Sequence, residues 1–111
     1  MKILCCGSRS WTDIKKIRDT LSCYPKGSIV IHGCAIGADI LCGIVAKELG
    51  YIVEEFPADW TKGLGAGYAR NIQMLNQKPN VIIAFYDGSS KGTKHTIQQA
   101  IKRGIETIVI D

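Results

Sequence analysis

No apolar run in this chain approaches the roughly 20 residues that cross a bilayer, and Met1-Lys2-Ile3-Leu4 passes straight into a strand pattern rather than a signal peptide. A protein of the cytoplasm with no membrane partner is the expectation. The five cysteines, Cys5, Cys6, Cys23, Cys34 and Cys42, are odd in number and contain no C-x-x-C pair. Adjacent Cys5 and Cys6 point to opposite faces of one strand. A disulfide framework or structural zinc site is disfavoured, and the cysteines read as small apolar core groups in a reducing compartment. Cys34 alone carries a second reading, as a thiol activated at a helix start. No set of His, Cys, Asp and Glu has metal-ligand spacing along the chain, so no metal is expected. Two Trp, four Tyr and two Phe are few, and they are not clustered with the lysines in sequence. A single-stranded nucleic-acid groove wants aromatics beside its cations, so nucleic acid is only the weakest of the partner readings.

Internal repeats, linkers and low-complexity tracts are also missing, and 111 residues suffice for one packed core. A single domain over 1–111 follows. Its 46% hydrophobic and 22% charged residues are ordinary for a globular protein. A formal net charge of +4 tolerates anionic partners without specifying one. Lys15, Lys16 and Arg18 read as the polar face of a first helix, and Lys102 and Arg103 as cations closing the last one.

Short β-branched runs alternate with segments of helical period. Strands are predicted at 2–6, 28–32, 51–56, 81–86 and 105–110. The first helix is capped by Thr12 or Asp13, with Ile14, Ile17 and Leu21 on one face. The second carries Ile40, Leu41, Ile44, Val45 and Leu49, a wide stripe that predicts packing on a sheet, and Gly50 caps it. An irregular stretch over 58–67 has three glycines in five residues, and a third helix resumes near Tyr68. A fourth carries Ile97, Ala100 and Ile101 up to Gly104. Five strands alternating with four helices predict an α/β fold, a parallel sheet with helices on both faces. Right-handed crossovers then bring the loops after each strand to one edge. Strand order does not follow from periodicity.

Three of those loops are rich in glycine: Cys6-Gly7-Ser8-Arg9, the stretch Gly33-Cys34-Ala35-Ile36-Gly37-Ala38-Asp39, and Asp87-Gly88-Ser89-Ser90-Lys91-Gly92-Thr93. A strand fired into a helix through glycines offers backbone N–H groups to an anion without bulky side chains in the way. Gly88, Gly92 and Thr93 form the best single phosphate cradle, with hydroxyls from Ser89, Ser90 and Thr93 and charge from Lys91. Neither G-x-x-x-x-G-K-[ST] nor a G-x-G-x-x-G after the first strand is present. Arg9 and Arg70 sit beside glycine turns, where a guanidinium can grip phosphate. Arg70 stands near a helix start against the macrodipole preference for acids, which favours a site role. Asn71 is either an early helix residue or a hydrogen-bonding partner for ribose or base. Asp39 suits a first helical turn, and alternatively binds a ribose hydroxyl or serves as a base. His32 reads as a packed or turn-bonded side chain, while His95 near the fourth loop remains eligible as an acid or base. Trp60 either stacks on a base or covers the core edge.

The ordered set Gly7-Ser8-Arg9, His32 to Asp39, Glu54-Glu55-Phe56-Pro57-Ala58-Asp59-Trp60, Gly67-Tyr68-Ala69-Arg70-Asn71 and Gly88 to Thr93 resembles the small SLOG-superfamily proteins related to YspA. That resemblance covers nearly the whole chain. It implies a Rossmann-like three-layer sandwich, a nucleotide or nucleotide-derived ligand such as an ADP-ribose-like molecule, no required cofactor, and a homodimer or larger homo-oligomer. In this picture Gly33 to Asp39 and Gly88 to Thr93 hold phosphates, Arg9 and Arg70 neutralise them, and Asn71 or Asp39 reads ribose. More distant likeness extends to the cytokinin-activating, lysine-decarboxylase-like phosphoribohydrolases and, around Gly33 to Asp39, to the DNA-processing protein of natural transformation. The phosphoribohydrolases carry P-G-G-x-G-T-x-x-E with an Arg on the preceding helix. Here Gly92-Thr93 and Arg70 fit that pattern, but Thr96 stands in place of the catalytic Glu. Hydrolysis by that mechanism lacks its carboxylate, and binding is the leading expectation, with Asp39, Arg70 and His95 as the candidates if the chain is an enzyme.

Overall fold

A computed structural model describes residues 1–63 and 65–111. Leu64, within the irregular stretch noted above, lies outside the described residues. The strands are β1 (Lys2–Gly7), β2 (Ile29–His32), β3 (Ile52–Glu55), β4 (Val81–Phe85) and β5 (Glu106–Ile110). The helices are α1 (Ile14–Leu21), α2 (Ala38–Glu48), α3 (Ala66–Leu75) and α4 (Lys91–Lys102), and a short 3₁₀ turn spans Trp60–Lys62. All strand pairings are parallel, in the order β3-β2-β1-β4-β5. The chain thus builds outward from β1 to β3 on one side, then returns to place β4 against β1. Loops leaving β1 and β4 diverge from neighbouring strand ends, which opens a crevice at that reversal of strand order.

Period-two alternation sorts the sheet into two cores. Ile3 and Cys5 of β1, with Val30, Val81, Ile83 and Phe85, pack against α1 and α2. Leu4 and Cys6, with Ile31, Ile82 and Ala84, face Met74, Leu75 and Ala100 of α3 and α4. The sequence therefore specifies a sheet buried on both faces, as central parallel strands require. Cys5, Cys6 and Cys42 are buried, but Cys23 is exposed just after α1, which corrects its assignment to the core.

Several expectations shift in detail. Asp13, not Thr12, caps α1, its Oδ1 accepting from Lys16 N–H at 3.1 Å. Helix α2 turns its small residues Ala38, Cys42, Gly43 and Ala46 inward, which lets it sit close to the sheet. That rotation leaves Ile40 and Ile44 exposed, so the stripe predicted to pack on the sheet is only partly buried. Likewise Ile101 of α4 is exposed, and Thr93, Thr96 and Ala100 form the helix's buried side. Helix α3 begins at Ala66 rather than Tyr68, and α4 begins at Lys91, so Gly92 and Thr93 belong to its first turn. No helix of the described residues is long and apolar enough to cross a membrane.

Candidate functional site

The crevice at the carboxyl end of β1 and β4 widens into a cavity of about 480 Å³, within the range that small-molecule sites occupy. Its floor is the β1 end, Cys6, Gly7 and Ser8. The sequence makes this floor possible at Gly7. A Cβ there would meet the Phe85 carbonyl and lie 2.6 Å from Ala38 Cβ, so only glycine lets β1, β4 and the start of α2 converge. The convergence is fixed by Ser8 N–H to Phe85 O (2.9 Å) and by Ala38 N–H to Ser8 O (3.2 Å). Ser8 Oγ also accepts from Asp87 N–H at 3.0 Å, and Ser10 donates to Asp87 Oδ2 at 2.9 Å, which ties the loops after β1 and β4 together. Donation from Ser89 N–H and Oγ, and from Ser8 and Ser10, holds the Asp87 carboxyl well below the usual range, so it stays a loop-bracing carboxylate.

One side of the cavity is the start of α4. Ser90 caps that helix, its Oγ accepting from Thr93 N–H at 3.3 Å and sharing a 2.9 Å contact with Thr93 Oγ1. Lys91 and Gly92 supply the remaining first-turn N–H groups, and no backbone acceptor among the described residues takes either one. The same holds for the N–H groups of Arg9 and Ser10. These four backbone donors border one opening, together with the N–H groups of Asp39 and Ser90, which also have no acceptor among the described residues, and they meet a helix terminus whose partial positive charge favours an anion. The Arg9 side chain is exposed and has no ion pair or hydrogen bond among the described residues. It is available to a ligand. Among the described residues, nothing lies within 4 Å of where a Gly92 Cβ would stand. Alanine there should raise the apo stability by about 0.5–1 kcal/mol through helix propensity, and it should weaken phosphate binding by filling the approach. A thermal melt paired with calorimetric titration of ADP reads both; equal affinity in Gly92→Ala would place the phosphates elsewhere.

The opposite wall behaves differently from the phosphate turn expected of it. Gly33 and Ala35 N–H groups both donate to Asp39 Oδ2, at 3.1 and 3.3 Å, and Cys34 N–H donates to His32 Nδ1 at 3.0 Å. With Ala38 N–H bonded to Ser8 O, these four donors are consumed inside the protein; the N–H groups of Ile36 and Gly37 have no acceptor among the described residues, but neither residue lines the cavity. Gly33, Gly37 and Ala38 do not line the cavity, although Ala35 and Asp39 do. Gly33 lies directly under the Arg70 guanidinium. Gly37, at φ +89°, presses against the Ser8 and Arg9 carbonyls. Their glycines serve close packing rather than ligand approach. Gly88 also stands outside the lining, making its turn at φ +93°.

Burial pushes the Asp39 carboxyl up to about 6, against the opposing hydrogen bonds from Ala35 and Gly33 and the charge of Arg70. A folded-state value above the unfolded one means that its stability contribution is fully present below about pH 4 and is lost as pH rises through 6. Asp39→Asn should remove this dependence, which amounts to about 3 kcal/mol between those limits. Urea denaturation of both proteins at pH 4 and pH 8 checks it: an unchanged difference would mean that Asp39 does not titrate in that window.

Arg70 and Asn71 form the third wall. Arg70 Nη1 donates to Gly33 O and to Phe56 O (3.5 Å), and its Nε donates to Asn71 Oδ1 at 3.1 Å. That bond orients the Asn71 amide, so Nδ2 faces Gly92 O (3.2 Å) and His95 Nδ1 (3.2 Å). An amide nitrogen only donates, hence His95 Nδ1 accepts and its proton sits on Nε2. Burial lowers the His95 pKa further. Arg70, expected as a site residue, is thus also a brace joining the Gly33 turn to α3. Asn71 has partners at both ends of its amide, and it links α3 to α4. His95 is not in the cavity; it faces a neighbouring groove. Thr96 is in the wall, its hydroxyl donating to Gly92 O at 3.3 Å. Asp39 is the one carboxylate lining the cavity among the described residues.

Trp60 lies at the rim, 55% exposed, with Cη2 3.0 Å from where a Gly67 Cβ would stand. Its indole needs that glycine. Of the expected residues, Gly7, Ser8, Arg9, Asp39, Trp60, Arg70, Asn71, Ser89, Ser90, Gly92 and Thr93 share the cavity lining. Sequence reasoning missed Ser10, Tyr68 and Met74, which reach it only because α3 and the β1 loop meet over the strand reversal.

Away from the cavity, the β2–β3 register pairs His32 with Glu55, and Cys34 joins them within 4.8 Å among the described residues. Linear spacing could not reveal this trio. His32 Nδ1 takes the Cys34 N–H at 3.0 Å, so the imidazole proton sits on Nε2, which lies 3.7 Å from Glu55 Oε2, beyond hydrogen-bond distance. Burial lowers the His32 pKa, and burial raises that of the Cys34 thiol, so the second reading of Cys34, an activated thiol, is not supported.

A five-stranded parallel sheet in this order, with helices on both faces and a cleft lined by glycine-turn residues, defines a Rossmann-like domain of SLOG type. The chain belongs to the YspA, cpYpsA-related SLOG family, whose model matches residues 1–63. It is 36% identical to the Gene 61 protein of Mycobacterium phage D29 over 117 aligned positions, which cover 96% of this chain and 94% of that protein. The solved structure of DNA processing protein A from Streptococcus pneumoniae superposes with a TM-score of 0.79 at 16% identity, over 99% of this chain and 50% of that one. At that identity the likeness is one of fold, and this chain spans half the length of that protein.

Proposed function

We propose that the protein is a cytoplasmic nucleotide-binding module that senses or sequesters a nucleotide or an ADP-ribose-like ligand at the β1–β4 crevice. The observation that carries the reading is the group of backbone donors with no acceptor among the described residues, Arg9, Ser10, Lys91 and Gly92 N–H, on residues lining one cavity beside the exposed Arg9 guanidinium and the α4 terminus. Phosphates take these positions, with Ser89 and Ser90 hydroxyls at the same edge. Trp60 supplies an aromatic face for the base, and Asp39, which lines the same cavity, is the candidate partner of a ribose hydroxyl. Free cysteines and the exposed residues Ile36, Ile40 and Ile44 suit a reducing compartment and a second copy packed along α2.

A second reading, hydrolysis of a nucleotide-derived substrate, draws on the Asp39 carboxyl, buried in the cavity and raised to about 6, a value suited to proton transfer near neutral pH. Incubation with AMP, ADP and ADP-ribose followed by mass spectrometry separates the two. Recovery of an intact bound ligand is the expected result. Turnover that disappears in Asp39→Asn would replace the binding module with an enzyme.

A further inference from the structure

The cavity does not end at α4. A groove of about 490 Å³ adjoins it, lined by Tyr68, Lys91, Lys94, His95 and Gln98, and shares Tyr68 and Lys91 with the cavity. The α4 residues at 91, 94, 95 and 98 follow the i, i+3, i+4, i+7 spacing of one helix face, so the groove runs along the helix. Tyr68 meets His95 with ring centroids 4.5 Å apart at 42°. The Arg70–Asn71–His95 hydrogen bonds fix the imidazole from behind. A positioned aromatic pair thus shares the groove with two lysines.

Charge supports the same surface. Residues 60–105, which build α3, β4 and α4, hold seven of the fourteen Lys and Arg but one of the ten acids, Asp87. Neither Lys91 nor Lys94 forms an ion pair among the described residues. The fold also removes a ground for discounting longer ligands, because Trp60 and Tyr68, remote from the lysines in sequence, are placed beside them. Cations that follow a phosphate-linked backbone, next to rings on which bases stack, are the elements of sequence-tolerant nucleotide-chain recognition.

We infer that the ligand carries a second nucleotide unit, joined through phosphate, with its first unit in the cavity and its second in the Tyr68–Gln98 groove. This rests on the nucleotide reading of the cavity. Lys91, common to both spaces, sits at the linking phosphate; Tyr68 and His95 carry the second base; Lys94 meets the following phosphate or ribose edge. Phosphodiester and pyrophosphate linkages share this chemistry.

Calorimetric titration of AMP, the 5′-phosphorylated dinucleotide pApA and diadenosine diphosphate, at about 0.15 M salt, tests the inference. At least about tenfold tighter binding of one dinucleotide over AMP is expected, the scale of one added base stack. Lys94→Glu, on an exposed position, should abolish that gain and leave AMP affinity unchanged, since screening limits its reach to about 8 Å. Gain with pApA alone assigns a strand, gain with diadenosine diphosphate alone a pyrophosphate-linked dinucleotide, and both support the groove. Equal affinity for AMP and both dinucleotides overturns the inference while the cavity reading stands. Failure of all three to bind removes the cavity reading and the inference with it.

Discussion

Replacing Gly7 with alanine is expected to cost about 3 kcal/mol of stability, a fall of about 10–20 °C in melting temperature for a chain of this size. The added methyl would run into the Phe85 carbonyl and sit 2.6 Å from Ala38 Cβ, and both neighbours are held. Gly7 pairs with Phe85 in the β1–β4 register, and Ala38 is tied to Ser8 O at the start of α2. Backbone on one side and a buried helix start on the other leave no flexible side chain to give way. Relief requires either prying β1 from β4 at the strand reversal or lifting α2, and each displaces the donors around the cavity. The folded fraction of Gly7→Ala should therefore also bind ADP more weakly. Urea titration monitored by circular dichroism gives the loss directly; a change below about 1 kcal/mol, on the scale of ordinary surface substitutions, would show that the junction has room.

Arg9→Ala and Arg70→Ala form the second pair. Arg9 has no protein partner among the described residues, so its removal should leave the melting temperature essentially unchanged. Affinity for ADP should drop about 10- to 100-fold, the scale of a charge-assisted hydrogen bond. Arg70 should lose comparable affinity and also about 1–2 kcal/mol of apo stability, because Gly33 O and the Asn71 amide lose their donor. Arg70→Lys recovers charge without the forked geometry, and should restore little of either. Calorimetry and denaturation on the same samples separate the roles; unchanged ADP affinity in both alanine variants would remove the phosphate assignment.

The fold was legible because its signals are local. β-branched strands, helical period and glycine at each strand-to-helix junction announce an α/β domain, and observed strand ends differ from the expected ones by a residue. Strand order was not legible, since nothing in Val81–Phe85 says that β1 is its neighbour. Everything that depends on that pairing was hidden with it, including Ser10, Tyr68 and Met74 as cavity residues. Glycine was correctly tied to the turns but ambiguous in purpose. At Gly92 it leaves open space, whereas at Gly33 and Gly37 it admits Arg70 and the Ser8–Arg9 backbone. The donors separate these cases: Asp39 and His32 take the N–H groups of Gly33, Cys34 and Ala35, those of Ile36 and Gly37 lie outside the cavity lining, and among the described residues no acceptor takes those of Lys91 and Gly92, which line it. Asp39, read as a first-turn acid, binds backwards to its own preceding turn. Tyr68, whose helical spacing with Ile72 and Leu75 marks a core position, is 46% exposed and faces the two spaces.

The most direct test of the central claim is a titration of ¹⁵N-labelled protein with ADP, followed by amide chemical shifts. The account predicts the largest changes at Arg9, Ser10, Lys91 and Gly92, with Gly33, Cys34 and Ala35 shifting far less because their N–H groups are already bound to Asp39 and His32. Perturbation centred on the Gly33–Ala35 turn, or no perturbation at millimolar ADP, would contradict it.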